Sequence, residues 1–259
     1  MIFSNSSKQN FRSALALFRR ELMISKQKSF FNFFWDVLEP LILAIFFIIL
    51  YKKKVFSVPN TGMSFGLYVA FGMLLWQSFL EALNQPVAIF DKYKNLFAHV
   101  KINNIVILIT LVFSLVYSLS FRVAIMVIIL IYYQNFTLTY ALSFILVSII
   151  IIIPGISLGI FLAAFGTFRE DIKRLIALIS RPLMFLSCTI FPMPNVGIMS
   201  YIDYLNPAAV FINNLRYIAV NGTFYNGTAL ALWIIFFLLF FIFAWKLFNF
   251  AVKYIVDRA

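Results

Sequence analysis

Charged residues, cysteine and histidine are all scarce in this sequence. Only 12% of its 259 residues are charged and 63% are hydrophobic, whereas a soluble domain is about 25% charged and about 45–50% apolar. The single cysteine, Cys188, cannot close an intrachain disulfide, and with a single histidine, His99, it cannot complete a Cys/His metal cage. These absences exclude a soluble enzyme, a nucleic-acid reader, a disordered tail, and zinc or redox chemistry.

Long apolar runs are what the sequence has instead, and they predict an all-α integral membrane protein. The length suits about six crossings of roughly 20 residues each. Six stretches fit this expectation, with the third and fourth long enough to tilt or extend past the bilayer. The predicted spans are residues 33–51, 64–84, 105–133, 140–166, 175–192 and 229–249. With the short segments between them they form one permease domain over residues 33–259.

The first 32 residues predict an amphipathic helix at the membrane interface. Phe11, Leu15, Phe18 and Leu22 recur at spacings of four, three and four residues, which places them on one helix face. Basic residues occupy much of the remaining surface. A basic amphipathic helix of this kind lies flat at the level of the lipid headgroups.

The segment 193–228 is apolar but is broken repeatedly by proline and glycine. The breaking residues are Pro194, Gly197, Pro207, Gly222 and Gly227. Two short helices that enter the membrane and return fit this pattern better than a full crossing. Non-helical backbone at membrane depth is tolerated only against protein or a wet cavity, so we expect this re-entrant outer pair to be functional.

Lysine and arginine are distributed unevenly between the segments that join the spans. With the N-terminus inside, 15 of the 21 lie in cytoplasmic segments and four lie in outer segments. Because positive residues gather on the cytoplasmic side, this bias predicts that both termini are cytoplasmic. The formal net charge of +12 is then a topological signal, and no nucleic-acid partner is expected.

Several charged residues fall inside or at the ends of the predicted spans, where they are functional candidates by default. Arg122, in the middle of the third span, either pairs with a buried acid or faces an aqueous path. Arg181 is a fixed cation beside a proline and suits an anionic substrate. Glu81 is expected at the interface, and Asp36 and Glu39 lie near the cytoplasmic boundary, where solvation is cheap.

Two short inner loops carry mixed charge, at residues 91–101 and 169–174. They are too short for catalysis but long enough to dock a soluble partner. The sequence contains no glycine-rich phosphate loop followed by Lys-Ser/Thr. Energy for any driven transport must therefore come from another subunit.

Five motifs follow one another along the chain. They are FRRE at 18–21, WDVLEP at 35–40, FRED at 168–171, RPLMFLSCTIFP at 181–192, and YLNP at 204–207 with Arg216 and Asn221-Gly222 after it. In this order they resemble type-2 ABC exporter permeases for bacterial surface polysaccharides. The capsule-export branch is the most similar, and the O-antigen branch is next.

The resemblance implies a non-enzymatic permease in the bacterial inner membrane. It would form a homodimer, bind two ATPase subunits that carry ATP and Mg, and bind no cofactor or metal itself. A lipid-linked capsular polysaccharide or O-antigen would pass between the two permease chains. The implied ATPase-docking residues are Phe18, Arg19, Arg20, Lys92, Lys94, His99, Arg169, Glu170 and Asp171. The implied channel or substrate contacts are Trp35, Arg181, Tyr201, Tyr204 and Arg216.

Other functions remain open at this stage. A type-2 permease for another lipid, a drug or a teichoic-acid polymer would share most of these features. An intramembrane sugar or acyl transferase would need clustered acids or histidines at one membrane face, and here they are scattered. A self-sufficient channel would conduct without an ATPase partner.

Overall fold

The helices follow the apolar runs of the sequence closely. A computed structural model describes residues 2–28, 32–59, 61–88, 92–93, 103–165, 169–193, 201 and 204–256. Over these residues the secondary structure is helical and contains no strand. The helices are α1 (Ile2–Lys28), α2 (Asn32–Lys52), α3 (Phe65–Val87), α4 (Asn104–Tyr132), α5 (Leu138–Val147), a 3₁₀ turn (Ser148–Ile151), α6 (Ile152–Ala163), α7 (Arg169–Leu186), α8 (Pro207–Asn221) and α9 (Gly227–Val256).

Four helical stretches in the described part of the chain are long and apolar enough to cross a membrane. They are Phe65–Val87, Asn104–Tyr132, Leu138–Ala163 and Gly227–Val252. They coincide with the second, third, fourth and sixth predicted spans to within a few residues, and they make the chain a multi-pass helical membrane protein. The first and fifth predicted spans form α2 and α7, which carry more charge, so the count of six crossings stays a prediction.

Helix α3 forms the centre of the bundle, and 17 of its 23 residues are buried. Its closest neighbour is α6, where Gly155 and Gly159 lie four residues apart against it. A Cβ atom at Gly155 would stand 2.6 Å from Cβ of Ala82 and 2.7 Å from the carbonyl oxygen of Phe79. Small residues at this spacing allow two helix backbones to approach closely in a membrane. The two glycines thus bring α6 close to α3 within one chain, a contact that was not predicted from the sequence.

Helix α8 is a short, buried helix within the predicted re-entrant segment. The Asn206 side chain accepts a hydrogen bond from the Ala208 amide, Pro207 occupies the first turn, and Gly222 ends the helix at φ 70°, as cap preferences predict. The helix has 15 residues and is about 22 Å long. Crossing a bilayer takes roughly 20 helical residues, so α8 is too short to cross it alone. Residues 194–200 and 202–203 lie outside the described residues, so the second re-entrant helix stays a prediction.

Helix α4 extends past the end of α3. Glu81 of α3 lies beside Ser118, and Gln85 lies beside Ser114, which sets an antiparallel register between the two helices. The same register can be continued to Val87, where α3 ends. The first eight or so residues of α4, about 12 Å of helix, then lie beyond the end of α3. Helix α1 crosses α4 next to this extension, where Phe11 packs edge-on against Phe113 and Thr110 donates to the carbonyl oxygen of Ala14.

Candidate functional site

A buried ion pair joins α3 to α4. Nη1 of Arg122 lies 2.6 Å from Oε2 of Glu81, and the Arg122 side chain is 2% exposed. Ser118 donates a hydrogen bond to the same carboxylate oxygen at 2.7 Å, and Gln85 donates to its other oxygen at 2.9 Å. Of the two alternatives for Arg122, the structure therefore shows pairing with an acid. Glu81 is that acid, and its location at the interface stays a prediction.

The charge of Asp36 extends this cluster to α2. Asp36 interacts electrostatically with Glu81, Arg122 and Glu39. Two carboxylates from different helices thus share the field of one guanidinium, and Nε of Arg122 has no hydrogen-bond partner among the described residues. A shift of α2 relative to α3 and α4 would change the distance from Asp36 to Arg122, so this cluster is sensitive to the arrangement of the three helices.

A second buried arginine holds the turn that follows α7. Arg216 on α8 is fully buried, and its guanidinium donates to the carbonyl oxygens of Cys188 and Thr189, each at 2.7 Å. It lies 3.7 Å from the centre of the Tyr68 ring, and the Tyr68 hydroxyl also donates to the Cys188 carbonyl, at 2.8 Å. The sequence predicted that Arg216 contacts substrate. In this chain its guanidinium binds backbone carbonyl oxygens that follow α7, and its contact with substrate stays a prediction.

On the predicted cytoplasmic side, Glu21 connects α1 to the segment between α3 and α4. Oε2 of Glu21 lies 2.7 Å from Nζ of Lys92, and its other oxygen accepts a hydrogen bond from the Tyr93 hydroxyl. Burial, together with the hydrogen bond and charge of Glu21, raises the pKa of Tyr93 well above its usual value, so the hydroxyl keeps its proton. Two elements that the sequence assigned separately to ATPase docking are thereby linked within one chain.

The expected ATPase-docking residues differ in how exposed their side chains are. The ring of Phe18 lies 5.8 Å from those of Phe113 and Tyr117, so it packs α1 onto α4, and its role in ATPase docking stays a prediction. All of the others with described side chains are exposed, namely Arg19, Arg20, Lys92, Glu170 and Asp171. Arg169 begins α7, its side chain lies outside the described part, and Lys94 and His99 lie outside the described residues altogether.

Four of the five expected substrate contacts are exposed. Trp35 at the start of α2 is 60% exposed, and Tyr201 and Tyr204 are exposed before α8. Arg181 is exposed on α7, two helical turns beyond the equally exposed Arg174. These residues lie on different elements: Tyr204 borders a cleft against α9, and Arg181 lies on α7.

Two features of the structure were not predicted from the sequence, and the reasons differ. The contacts of Glu21 with Lys92 and Tyr93 span more than 70 residues, and no local pattern indicates such a pairing. The Gly155–Gly159 spacing, by contrast, is a readable signal for close helix packing. Across the described part of the chain, no three histidine, cysteine or carboxylate side chains come together as metal ligands would.

Comparison with known protein families adds an independent observation. Residues 12–220 match the family described as ABC-2 type transporter. The match begins within α1 and ends within α8, so it includes Glu21, the Arg122–Glu81 pair, α7 and Arg216. No curated protein sequence matches the chain.

Proposed function

We propose, from the premise that the chain belongs to the ABC-2 type transporter family, that it exports a lipid-linked surface polysaccharide. Membership makes it the transmembrane permease component of an ABC transporter. The proposal adds that the cargo is a capsular polysaccharide or O-antigen, that the membrane is the bacterial inner membrane with both termini cytoplasmic, and that two copies form the channel.

The exposed arginines of α7 are the observation that carries this proposal. Arg174 and Arg181 lie seven residues apart, on nearly the same face of the helix. Arg181 lies about 18 Å along the helix from Arg169, well inside the fifth predicted span. Charged side chains at such depth almost always face a protein interior or a water-filled path rather than lipid. A wet path lined by cations favours an anionic cargo.

The surroundings of α7 support a path completed by a second copy. Helix α7 leans on α2 through Phe47, whose ring is 6.4 Å from that of Phe185. Both helices keep apolar side chains exposed, including Phe46 on α2 and Leu178 on α7, which is 75% exposed. A second chain set against this surface would cover the apolar residues and enclose the arginines, and Trp35 would offer a ring face for sugars.

Energy would reach this path from two ATPase subunits that bind ATP and Mg. Arg19, Arg20, Glu170 and Asp171 are exposed near the ends of α1 and α7, as a docking surface requires. Through Glu21, a movement of α1 would be passed to the segment at Lys92 and Tyr93, and through Phe18 to α4. The permease itself would then perform no bond chemistry.

Deletion of the gene in its host, followed by localisation of the surface polysaccharide, tests the cargo. We expect polymer to be made but retained inside the cell, because synthesis and export are separate steps. Polymer that is absent altogether would indicate a biosynthetic enzyme. Normal surface display would refute the proposal and favour a permease for another lipid, a drug or a teichoic acid.

Complementation of the deletion with Arg181 variants tests the path. Arg181→Gln removes the cation from the proposed path, and we expect surface polymer to fall several-fold while the ATPase subunit still co-purifies. Arg181→Lys retains the charge and should export better than Arg181→Gln. Lys246→Gln, at an exposed site on α9, is the control. Export by Arg181→Gln equal to that by the control would refute the role of Arg181.

A further inference from the structure

A cleft of about 600 Å³ opens between α9 and the segment that precedes α8. Its wall includes two aromatic side chains beside polar ones, and an apolar strip continues from them. The residues that form it are Tyr204, Asn226, Thr228, Leu232, Trp233 and Phe236, with Ala229 between them. In the predicted orientation this end of α9 is the outer one.

The polarity of the cleft changes along α9. Asn226 and Thr228 stand at the start of the helix, while Leu232 and Phe236 lie one and two turns farther on and are 69% and 50% exposed. At 1.5 Å per residue, Asn226 and Phe236 are separated by about 15 Å. A ligand that fills the cleft must therefore be polar at one end and apolar at the other, as a membrane lipid is.

Hydrogen bonds and ring contacts hold the walls in place. Nε1 of Trp233 donates to the backbone carbonyl oxygen of Tyr204 at 3.0 Å, and the indole ring stacks on Phe237 with centroids 5.8 Å apart. Asn226 caps α9, because its Oδ1 accepts from the Ala229 amide at 3.0 Å. This cap occupies the amide oxygen, and no described residue accepts from its Nδ2 group.

The chemistry of the polar end selects among lipid headgroups. None of the cleft-forming residues that the structure describes is charged, whereas phosphate headgroups are bound preferentially by arginine or lysine. An amide, a hydroxyl and two aromatic rings are instead suited to an uncharged headgroup with many hydroxyls and apolar ring faces. A sugar has both properties.

We propose that this cleft binds a glycolipid with an uncharged sugar headgroup, in the leaflet at the N-terminal end of α9. The sugar lies beside Tyr204, Asn226 and Thr228, and the hydrocarbon chain lies along Leu232 and Phe236. The described residues that form the cleft do not include the arginines of α7. The proposal is therefore argued from other side chains than those that support the polysaccharide cargo.

Quenching of Trp233 fluorescence by brominated lipids tests the site. The full chain is reconstituted into phosphatidylethanolamine and phosphatidylglycerol vesicles that contain a small fraction of monoglucosyl diacylglycerol with brominated chains. Parallel vesicles contain phosphatidylethanolamine with the same brominated chains. The difference between wild type and Trp233→Phe isolates the signal of Trp233 from that of the other three tryptophans.

We expect the glucolipid to quench Trp233 several-fold more than the matched phospholipid at equal mole fraction. Tyr204→Ala should remove this preference, because it deletes the ring yet keeps the carbonyl group that Trp233 binds. Tyr132→Ala, which removes a 79% exposed tyrosine from the end of α4, should leave it unchanged. Equal quenching by both lipids, or a preference that survives Tyr204→Ala, would overturn the proposal.

A second measurement on the wild-type chain does not depend on how the variants fold. A glucolipid with a diazirine in its chain should crosslink to residues 229–236, and unlabelled glucolipid should compete better than unlabelled phosphatidylethanolamine. Labelling spread evenly over the exposed length of α9 would overturn the site. Because neither assay measures export, failure here leaves the cargo proposal standing, and retention or release of polymer in the deletion strain leaves this site unaffected.

Discussion

At the scale of single residues, the two buried arginines show how a guanidinium is accommodated in a membrane bundle. Arg122 is neutralised by Glu81 of a neighbouring helix. Arg216 is solvated by two backbone carbonyl oxygens and by the face of the Tyr68 ring. An unpaired buried charge is very costly, so each arginine fixes the position of the groups around it.

Replacing Glu81 by Gln should destabilise the protein strongly. The substitution keeps the shape of the side chain but removes the carboxylate that pairs directly with the Arg122 guanidinium, and breaking a buried pair in this way costs about 3–5 kcal/mol. Denaturant unfolding of the purified protein in detergent measures the change in the free energy of unfolding. Glu39→Gln, at an exposed position on α2, should change it by no more than about 0.5 kcal/mol.

The double variant Glu81→Gln/Arg122→Met should be more stable than Glu81→Gln alone, since it also removes the orphaned charge. If Glu81→Gln unfolds at the same denaturant concentration as wild type, the ion pair contributes nothing to the fold.

Gly72→Ala should also be destabilising, because the added methyl group would meet Nη2 of Arg216 and the Thr189 carbonyl oxygen. Overpacking of this kind costs about 1–3 kcal/mol. Gly227→Ala is the matched control, since its Cβ atom would make an ordinary 3.6 Å contact with Phe224. The same unfolding assay compares them, and equal stabilities would show that the contacts of Arg216 are dispensable.

At the scale of elements, α1 is part of the bundle as well as a surface helix. Its apolar face packs on α4 through Phe11 and Phe18, which explains the apolar spacing without requiring that the whole face contact lipid. Its C-terminal half is fixed by Glu21. A helix held at these two places can pass a displacement both to a span and to the segment at Lys92 and Tyr93.

Glu21→Ala should loosen the C-terminal half of α1. The variant loses the Tyr93 hydrogen bond and the partly exposed Lys92 ion pair, and we expect amide exchange over residues 18–24 to accelerate roughly tenfold, equivalent to about 1.4 kcal/mol. Hydrogen–deuterium exchange with mass spectrometry measures this change. Arg20→Gln, on the exposed side of the same turn, should exchange as wild type does, and identical exchange in Glu21→Ala would show that the link has no effect on α1.

The contribution of Glu21 should not depend on pH between about 7 and 9. The folded state raises the pKa of Tyr93, so the hydrogen bond is fully present below the unfolded tyrosine pKa of about 10. It is lost only as the pH rises through the folded-state pKa. The exchange difference between Glu21→Ala and wild type, measured with correction for the intrinsic exchange rate, should therefore be constant over this range, and a marked decline towards pH 9 would contradict it.

For the molecule as a whole, α2 and α7 expose a surface of the kind that a helix bundle complete in one chain would bury. Helix α9 also exposes apolar residues. Unlike α7, its exposed surface is almost wholly apolar among the described side chains, as a lipid-facing helix requires. Helix α7 exposes arginines among its apolar residues. That mixture suits a protein partner and a wet path better than hydrocarbon.

Cysteine crosslinking tests the proposed homodimer and the surface that would form it. The native Cys188 is buried, so a cysteine introduced at Leu178 supplies an accessible thiol on α7. We expect Leu178→Cys to form a disulfide-linked dimer in membranes after mild oxidation. Leu239→Cys, on α9 and 63% exposed, should stay monomeric. A dimer formed by both variants, or by neither, would argue against α7 as the homodimer surface.

The class of the molecule and the positions of most of its long helices could be predicted from the sequence alone. Apolar runs indicated α3, α4, the α5–α6 stretch and α9 to within a few residues, because hydrocarbon solubility is a property of local composition. The bounds of α8 were not predicted, although Pro207 and Gly222, which the sequence analysis took as breaks, lie at its two ends. The motifs that resemble polysaccharide-export permeases pointed towards the family.

Which polar groups meet across the bundle could not be predicted without the packed structure. Glu81 and Arg122 are 41 residues apart, Cys188 and Arg216 are 28 apart, and Glu21 and Tyr93 are 72 apart. The amphipathic pattern of α1 likewise left open whether Phe18 would face lipid, an ATPase or another helix. Such pairings depend on the register and depth of packed helices, which arise from the shape of many side chains together and leave no local trace in the sequence.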